Sequence, residues 1–157
     1  ERVLDLIEEI VKPGIAIYSA KLTAKMPKSE DICHWHQDNA YYNAHALSKT
    51  RMSVWIPMVD VDEENGCLWV VPGSHTGGVK EHGQYGGQCP KSMGPADMVA
   101  EGAIPCAVKA GSILLFRSDL WHHSKGNGTD RVRRAFIVSY QEATVPSGNA
   151  DQWKILR

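Results

Sequence analysis

The stretch Met52-Ser53-Val54-Trp55-Ile56-Pro57-Met58-Val59 decides the fold class, because its β-branched and aromatic residues are typical of a buried strand. A turn signal, Asp62-Glu63-Glu64-Asn65-Gly66, comes soon after it, and Cys67-Leu68-Trp69-Val70-Val71 is a second apolar run. Two such runs on either side of a turn predict a β-hairpin.

Further short strands are predicted on both sides of this pair. They cover Ile15–Leu22, Ile104–Val108, Ile113–Phe116 and Arg133–Tyr140. Apolar residues at three- and four-residue steps predict one amphipathic helix over Arg2–Val11, which Pro13-Gly14 ends. Many short strands and one helix predict an all-β sandwich or jelly roll with a helical appendage. The segment Thr76–Ala103 has little periodicity, and its length is typical of a lid or a mobile loop.

Composition limits the partners of the chain. With 157 residues and a net charge of -1, it is the size of one domain and has no global field that would attract nucleic acid or an anionic membrane. No apolar run is long enough for a membrane span. We therefore expect a small-molecule substrate, and the sequence carries no signal for the oligomeric state. The chain begins at Glu1 and enters a helical pattern at once, so we expect residues 1–157 to be a single domain that lacks its N-terminal portion.

The four cysteines of the chain form no Cys-x-x-Cys pair. They are Cys33, Cys67, Cys89 and Cys106. Because the chain is neither short nor rich in cysteine, a disulfide framework is not expected. Reduced cysteines predict a cytoplasmic setting.

The motif His34-Trp35-His36-Gln37-Asp38 offers metal ligands at a spacing of two residues. Alternate residues of a strand face the same side, so His36 and Asp38 can converge on one ion. Two histidines and one carboxylate leave coordination positions open, as in non-haem Fe(II) oxygenases. The remaining histidine must come from elsewhere, and the candidates are His34, His45, His75, His82, His122 and His123.

Several motifs in a fixed order carry a family resemblance. They are His36-x-Asp38, Asn65-Gly66-Cys67-Leu68, Val71-Pro72-Gly73-Ser74-His75, Gly111-Ser112, His122-x-Ser124 and Arg133-Arg134-Ala135. This set extends from about Ile15 to Tyr140 and resembles the phytanoyl-CoA dioxygenase family of Fe(II)/2-oxoglutarate-dependent oxygenases. The resemblance implies a mainly β fold, a double-stranded β-helix (jelly roll, cupin-like) with an N-terminal flanking helix.

The resemblance also implies a ligand set of His36, Asp38 and His122. In the family's distal motif, His-x-Ser is followed by an arginine eleven positions after the histidine, which matches Arg133 as the residue that binds 2-oxoglutarate. A shift by one residue would use His123 and Arg134 instead, but Ser124 would then not lie two positions after the ligand.

Three further contacts with 2-oxoglutarate are implied by the resemblance, from Trp55, Ser124 and Gln37. The charges agree with this assignment, since Fe(II), Asp38, 2-oxoglutarate and Arg133 sum to zero in a mostly dry pocket. Arginine suits the role because its planar fork binds a carboxylate with two hydrogen bonds.

The implied reaction is hydroxylation of a C–H bond of a small organic substrate, with dioxygen as cosubstrate and release of succinate and carbon dioxide. In halogenating relatives a small residue replaces the carboxylate, so Asp38 favours hydroxylation. The alternative is a non-catalytic, cupin-like metal-binding module with a structural or sensing role. Arg133 discriminates between the two, because a structural metal site is closed by protein ligands and needs no carboxylate clamp.

Overall fold

The structure is a computed structural model that describes residues 2–41, 48–89, 91–98, 100–145 and 154–157. Among these residues, no helix has the length and hydropathy needed to cross a membrane. The regular elements are helix α1, Arg2–Glu8, and strands β1, Ile15–Lys25; β2, Cys33–His36; β3, Met52–Pro57; β4, Leu68–Val70; β5, Ile104–Cys106; β6, Leu114–Arg117; β7, His122–Ser124; β8, Arg133–Glu142; and β9, Lys154–Ile155. Short 3-10 helices cover Asp38–Tyr41 and Ser74–Gly77.

The strands form two antiparallel sheets. One has the order β6-β3-β8-β1-β9 and the other has the order β2-β7-β4-β5. Most strands that follow each other in the chain, such as β1 and β2 or β7 and β8, lie in different sheets, whereas β4 and β5 pair within the four-stranded sheet. This alternation is the double-stranded β-helix, and the mainly β jelly roll with an N-terminal helix predicted from the sequence is confirmed.

The predicted hairpin is wrong. Strand β3 pairs with β6 and β8, whereas β4 pairs with β5 and β7 in the opposite sheet. The connection between them crosses from one sheet to the other, and the bridge between Val61 and Val108 joins it to the connection that follows β5. An apolar run with a turn after it marks a strand, but the run does not specify which strand becomes its neighbour.

Helix α1 is shorter than predicted and covers the outer face of the five-stranded sheet. It ends at Glu8 rather than at Val11, and residues 9–11 form a turn. Pro13 disfavours the helical conformation of Lys12, so the helix does not continue beyond this turn. The apolar pattern still predicts the buried face. Ile7 and Val11 pack with Ile15, Met52 and Val54 in one cluster.

Strand β3 separates this outer cluster from the interior between the sheets. Met52 and Val54 face the helix, and Ser53 and Trp55 therefore face the other side of the strand. Trp55 belongs to a second cluster with Leu68, Phe116 and Ala135, which come from both sheets. The interior of the jelly roll is thus apolar at its centre and carries polar groups near Ser53.

The segment that follows Gly77 packs along β2. Gln88 and Met93 donate backbone hydrogen bonds to the carbonyls of Ile32 and Trp35 at 2.7 Å each. A disulfide between Cys33 and Cys89 joins the segment to the strand covalently. The prediction of reduced cysteines is wrong for this pair, because a contact over 56 residues arises only when the segment folds back onto β2. Cys67 and Cys106 are free thiols.

Candidate metal centre

Three side chains converge in the interior between the two sheets. His36 and His122 lie opposite each other on β2 and β7, and Asp38 follows β2. The Nε2 atoms of His36 and His122 lie 3.8 and 3.7 Å from Oδ1 of Asp38. Their ligand atoms all lie within 4.8 Å of one another, which is the spacing of donors around one metal ion.

Hydrogen bonds orient each of these groups toward the centre. Nδ1 of His36 donates to the carbonyl of His34 at 2.8 Å, and Nδ1 of His122 donates to the carbonyl of Leu120 at 2.9 Å. A proton fixed on Nδ1 leaves the lone pair of Nε2 free for a metal. Ser53 donates to Oδ2 of Asp38 at 2.6 Å, so Oδ1 remains directed at the histidines.

Burial sets the protonation of the centre. Burial and the nearby His122 lower the pKa of His36 to about 3. Burial raises the pKa of Asp38, but His122, His36 and the Ser53 hydroxyl together lower it more, and the pKa lies below its usual value. A neutral imidazole beside an ionised carboxylate is the protonation state that metal ligands require.

The two adjacent histidines of β7 point to opposite sides. His122 faces Asp38, whereas the ring of His123 lies between the rings of Trp35 and Trp69, at centroid distances of 4.2 and 6.0 Å. Burial lowers the pKa of His123 to about 4, and its Nδ1 has no hydrogen-bond partner among the described residues. The geometry therefore favours His122 as the metal ligand.

The adjacent arginines of β8, Arg133 and Arg134, also point to opposite sides of their strand. Arg133 is 3% exposed and lines the cavity that contains the centre, whereas the next residue, Arg134, is exposed. Nη2 of Arg133 donates to the carbonyl of Gly66 at 2.8 Å. Its buried Nε has no partner among the described residues. Burial lowers the pKa of Arg133 to about 10, so the group keeps its charge at neutral pH.

Two of the other predicted contacts line this cavity, and one does not. Trp55 and Ser124 form part of its wall, and the guanidinium of Arg133 lies over the Trp55 ring at 5.6 Å. Gln37 faces away. Its amide nitrogen donates to the carbonyls of Gly78 and Asp119 at 2.9 and 2.7 Å, and its oxygen accepts from the backbone of Lys80 at 2.7 Å. Gln37, which lies between His36 and Asp38 in the chain, therefore holds the loop that follows the second 3-10 helix.

The other candidate histidines that the structure describes lie outside the centre. Nδ1 of His34 accepts a hydrogen bond from the backbone of Ala96 at 2.9 Å, and Nε2 of His82 accepts one from the backbone of Gln37 at 3.0 Å. His75 lies in the second 3-10 helix. His45 falls outside the described residues.

The cavity has a volume of about 430 Å³ and extends from the centre to Arg133. Its wall includes two lysines of β1, Lys21 and Lys25, which the sequence did not suggest for the site. Lys25 lies beyond the predicted end of its strand at Leu22, so no strand pattern pointed to it. Ser53 was also missed, although it lies two residues before Trp55 and therefore shares its face.

Comparison with known proteins identifies the family. The phytanoyl-CoA dioxygenase (PhyH) family matches residues 1–135. The chain belongs to the phytanoyl-CoA dioxygenase family. Phytanoyl-CoA dioxygenase domain-containing protein 1 of Bos taurus is 32% identical over 123 residues, which are 75% of this chain and 42% of the relative. The chain thus spans less than half the length of this relative.

Solved structures share the fold of this phytanoyl-CoA dioxygenase family member. The apo form of the non-heme monooxygenase ThoJ matches with a TM-score of 0.74 and 24% identity over 92% of this chain and 53% of its own. EvdO2 from Micromonospora carbonacea var. aurantiaca, complexed with 2-oxoglutarate, matches with a TM-score of 0.70 and 25% identity over 95% of this chain and 60% of its own.

The residues present fit the iron and the cosubstrate that the family implies. Two imidazoles and one carboxylate form a three-donor set of the kind that leaves positions open on Fe(II). The unpartnered Nε of Arg133 is a buried donor that a carboxylate would satisfy.

Proposed function

We propose that the chain is the Fe(II)- and 2-oxoglutarate-dependent oxygenase domain of a hydroxylase that acts on a small organic substrate and releases succinate and carbon dioxide. One observation carries this proposal. A single cavity holds an incomplete His-Asp-His donor set at one end and a buried arginine with an unpartnered Nε at the other. A module that only stores or senses a metal has no use for that arginine.

In this proposal, His36, Asp38 and His122 hold the metal, and residues 1–157 act as one domain. When bound, Fe(II) with 2-oxoglutarate and dioxygen supplies the oxidising chemistry. The protein contributes the geometry: the backbone carbonyls of His34 and Leu120 fix the imidazoles, and Ser53 fixes the carboxylate. Because both imidazoles are held with Nε2 free, the metal binds without a rearrangement of the ligands.

Arg133, Ser124 and Trp55, which line the cavity, would hold the cosubstrate. The unpartnered Nε of Arg133 would donate a hydrogen bond to a carboxylate of 2-oxoglutarate. The cavity wall also includes Leu68, Phe116 and Ile137, which exclude water and strengthen the charge pairing at Arg133. The likeness to EvdO2, a protein complexed with 2-oxoglutarate, supports the same cosubstrate here.

An anaerobic titration tests the proposal. Fe(II)-loaded protein is titrated with 2-oxoglutarate while the weak visible charge-transfer band of the chelate is measured, and succinate is then quantified after addition of oxygen. We expect a saturable band in the wild type. Arg133→Met removes a charged hydrogen bond and is expected to weaken 2-oxoglutarate binding by about 10- to 100-fold, because such bonds contribute about 1.5–3 kcal/mol.

Arg134→Met is the matched control, because Arg134 is the exposed neighbour of Arg133 on the same strand. It is expected to keep the affinity of the wild type. If the protein binds Fe(II) but gives neither a chelate band nor succinate, the oxygenase proposal fails and the metal-binding module remains.

A further inference from the structure

The cavity wall carries more positive charge than the metal and the cosubstrate need. Among the described residues that line it, three side chains are cationic, Lys21, Lys25 and Arg133, and one is a carboxylate, Asp38. Under the proposed function, Fe(II), Asp38, 2-oxoglutarate and Arg133 sum to zero. In this sum, the charges of Lys21 and Lys25 have no counter-charge.

Lys25 needs no further anion. It is 2% exposed, donates a hydrogen bond to the carbonyl of Asp31, and lies opposite Arg133 on the neighbouring strand. Burial and the charge of Arg133 lower the pKa of Lys25 to about 7, so much of this amine is neutral at neutral pH. Lys21 is therefore the cation whose charge nothing in the cavity balances.

Lys21 lies in the wall of the cavity but away from the arginine clamp. Across the sheet it stands opposite Ile137, which stands opposite Trp55, and directly opposite residues of antiparallel strands share a face. Lys21 precedes Lys25 by four residues of β1, a rise of about 13 Å along the strand. The distal carboxylate of the cosubstrate and Lys21 thus belong to different parts of the cavity.

Lys21 also lies at an opening of the cavity. Strand β9 pairs with β1 only at Ala16 and Ile17, so within the described part of the chain the edge of the sheet is uncovered at Lys21. The side chain of Lys21 is exposed and forms no ion pair or hydrogen bond with the described residues. It is nonetheless close to the metal centre. Burial has the largest influence on the pKa of His36 and of Asp38, and the charge of Lys21 lowers both as well.

We propose that Lys21 binds an anionic group of the substrate, which makes the substrate a small carboxylate or phosphoryl oxyanion. The proposal rests on the proposed function, since it takes the metal, the cosubstrate and Arg133 as the other occupants. A charged head at Lys21 leaves the carbon chain of the substrate against Ile137 and Phe116, with the metal centre at the inner end. An unpaired cation at the mouth also attracts an anion from solution before it enters.

The test uses the holoprotein loaded with Fe(II) and 2-oxoglutarate under nitrogen. Four probes with six carbon atoms each, hexanoate, hexylphosphonate, 1-hexanol and hexylamine, are titrated calorimetrically into the wild type, Lys21→Met and Lys21→Arg. We expect both anions, or one of them, to bind about two- to fivefold more tightly than the alcohol, and the amine to bind most weakly. The comparison of hexanoate with hexylphosphonate identifies which anion the site takes. Lys21→Met is expected to lose about two- to fivefold in anion affinity, the effect of one exposed ion pair, and Lys21→Arg to retain it.

Lys12→Met is the matched control, because Lys12 is an exposed lysine that pairs with Glu9 outside the cavity. The chelate band is measured with 2-oxoglutarate in every variant. Without a band in the wild type the proposed function fails, whichever probe binds. With a normal band, the Lys21 proposal is overturned if the wild type shows no anion preference, if Lys21→Met keeps that preference, or if Lys21→Met weakens 2-oxoglutarate itself.

Discussion

Lys25 and Arg133 lie directly opposite each other on neighbouring antiparallel strands, and both side chains are buried. Two positive charges side by side in the interior repel each other. The repulsion is reduced when Lys25 loses its proton. Burial first, and then the charge of Arg133, lower the pKa of Lys25 to about 7. Arg133 keeps its charge at neutral pH, since burial lowers its pKa only to about 10.

This relationship predicts a pH dependence of stability. Between about pH 7 and the usual lysine pKa of about 10.4, the unfolded chain holds a proton on Lys25 that the folded protein lacks. The free energy of unfolding therefore rises with pH over this window, by up to about 1.4 kcal/mol per pH unit from this group, and becomes constant with respect to it below pH 7. Lys25→Met removes the dependence.

Urea unfolding of the metal-free protein between pH 7.0 and 9.5 measures how the free energy of unfolding depends on pH. We expect a steeper rise for the wild type than for Lys25→Met, and a more stable variant at pH 7. Lys12→Met, which changes an exposed lysine, should show the slope of the wild type. Parallel slopes for wild type and Lys25→Met would contradict a lowered pKa of Lys25.

The opposite orientations of His122 and His123 predict opposite phenotypes. His122→Ala, like Asp38→Ala, removes a donor of the triad and is expected to abolish Fe(II) binding and succinate formation. His123→Ala removes a ring packed between two tryptophans, so it is expected to lower the free energy of unfolding by about 1–3 kcal/mol while much of the succinate formation remains. Equilibrium dialysis with Fe(II) and a succinate assay separate the two. If the phenotypes were exchanged, the ligand would be His123.

Gly66 supports the arginine clamp through its backbone. It has φ of 83°, and a Cβ there would lie 2.7 and 2.8 Å from the carbonyl oxygens of Lys125 and Gly126. Gly66→Ala is therefore expected to cost about 2 kcal/mol or more of stability, from the left-handed conformation and the clash together. Because the carbonyl of Gly66 accepts from Arg133, 2-oxoglutarate affinity should fall as well.

Gly111→Ala separates the two contributions. Gly111 has a similar φ of 78°, but no atom lies within 4 Å of its added Cβ. It should lose only about 1 kcal/mol, the cost of the left-handed backbone, and should keep the affinity for 2-oxoglutarate. The free energy of unfolding of both variants is measured with urea. Equal losses would show that the carbonyls of Lys125 and Gly126 move away from the added Cβ at little energetic cost.

The disulfide between Cys33 and Cys89 predicts a stability that depends on reductant. It closes a long loop, so Cys89→Ser is expected to lower the free energy of unfolding by about 2–4 kcal/mol in non-reducing buffer. Dithiothreitol should bring the wild type down to the level of the variant. Cys106→Ser, at a free thiol, serves as the control. A wild type that does not respond to dithiothreitol would mean that the pair is not oxidised in solution.

Local patterns were sufficient for the elements and for part of the site. Strands at β1, β3 and β8 were predicted close to their observed positions, because β-branched and aromatic runs reflect burial on a pleated surface. The convergence of His36 and Asp38 on one site could be predicted, because residues two apart along a strand face the same side. The selection of His122 and Arg133, by contrast, came from the order of family motifs and not from any local periodicity.

The sequence by itself determined the fold class, the family and the residue types from which a metal site could be assembled. Only the tertiary structure decided which strands are neighbours, that Gln37 faces away from the cavity, that Cys33 meets Cys89, and that Lys21 and Lys25 line the cavity with Arg133. The physical reason is that most consecutive strands lie in different sheets. This arrangement makes nearly every functional contact a long-range one, and a pairing over such a distance is set by the packing of the whole interior.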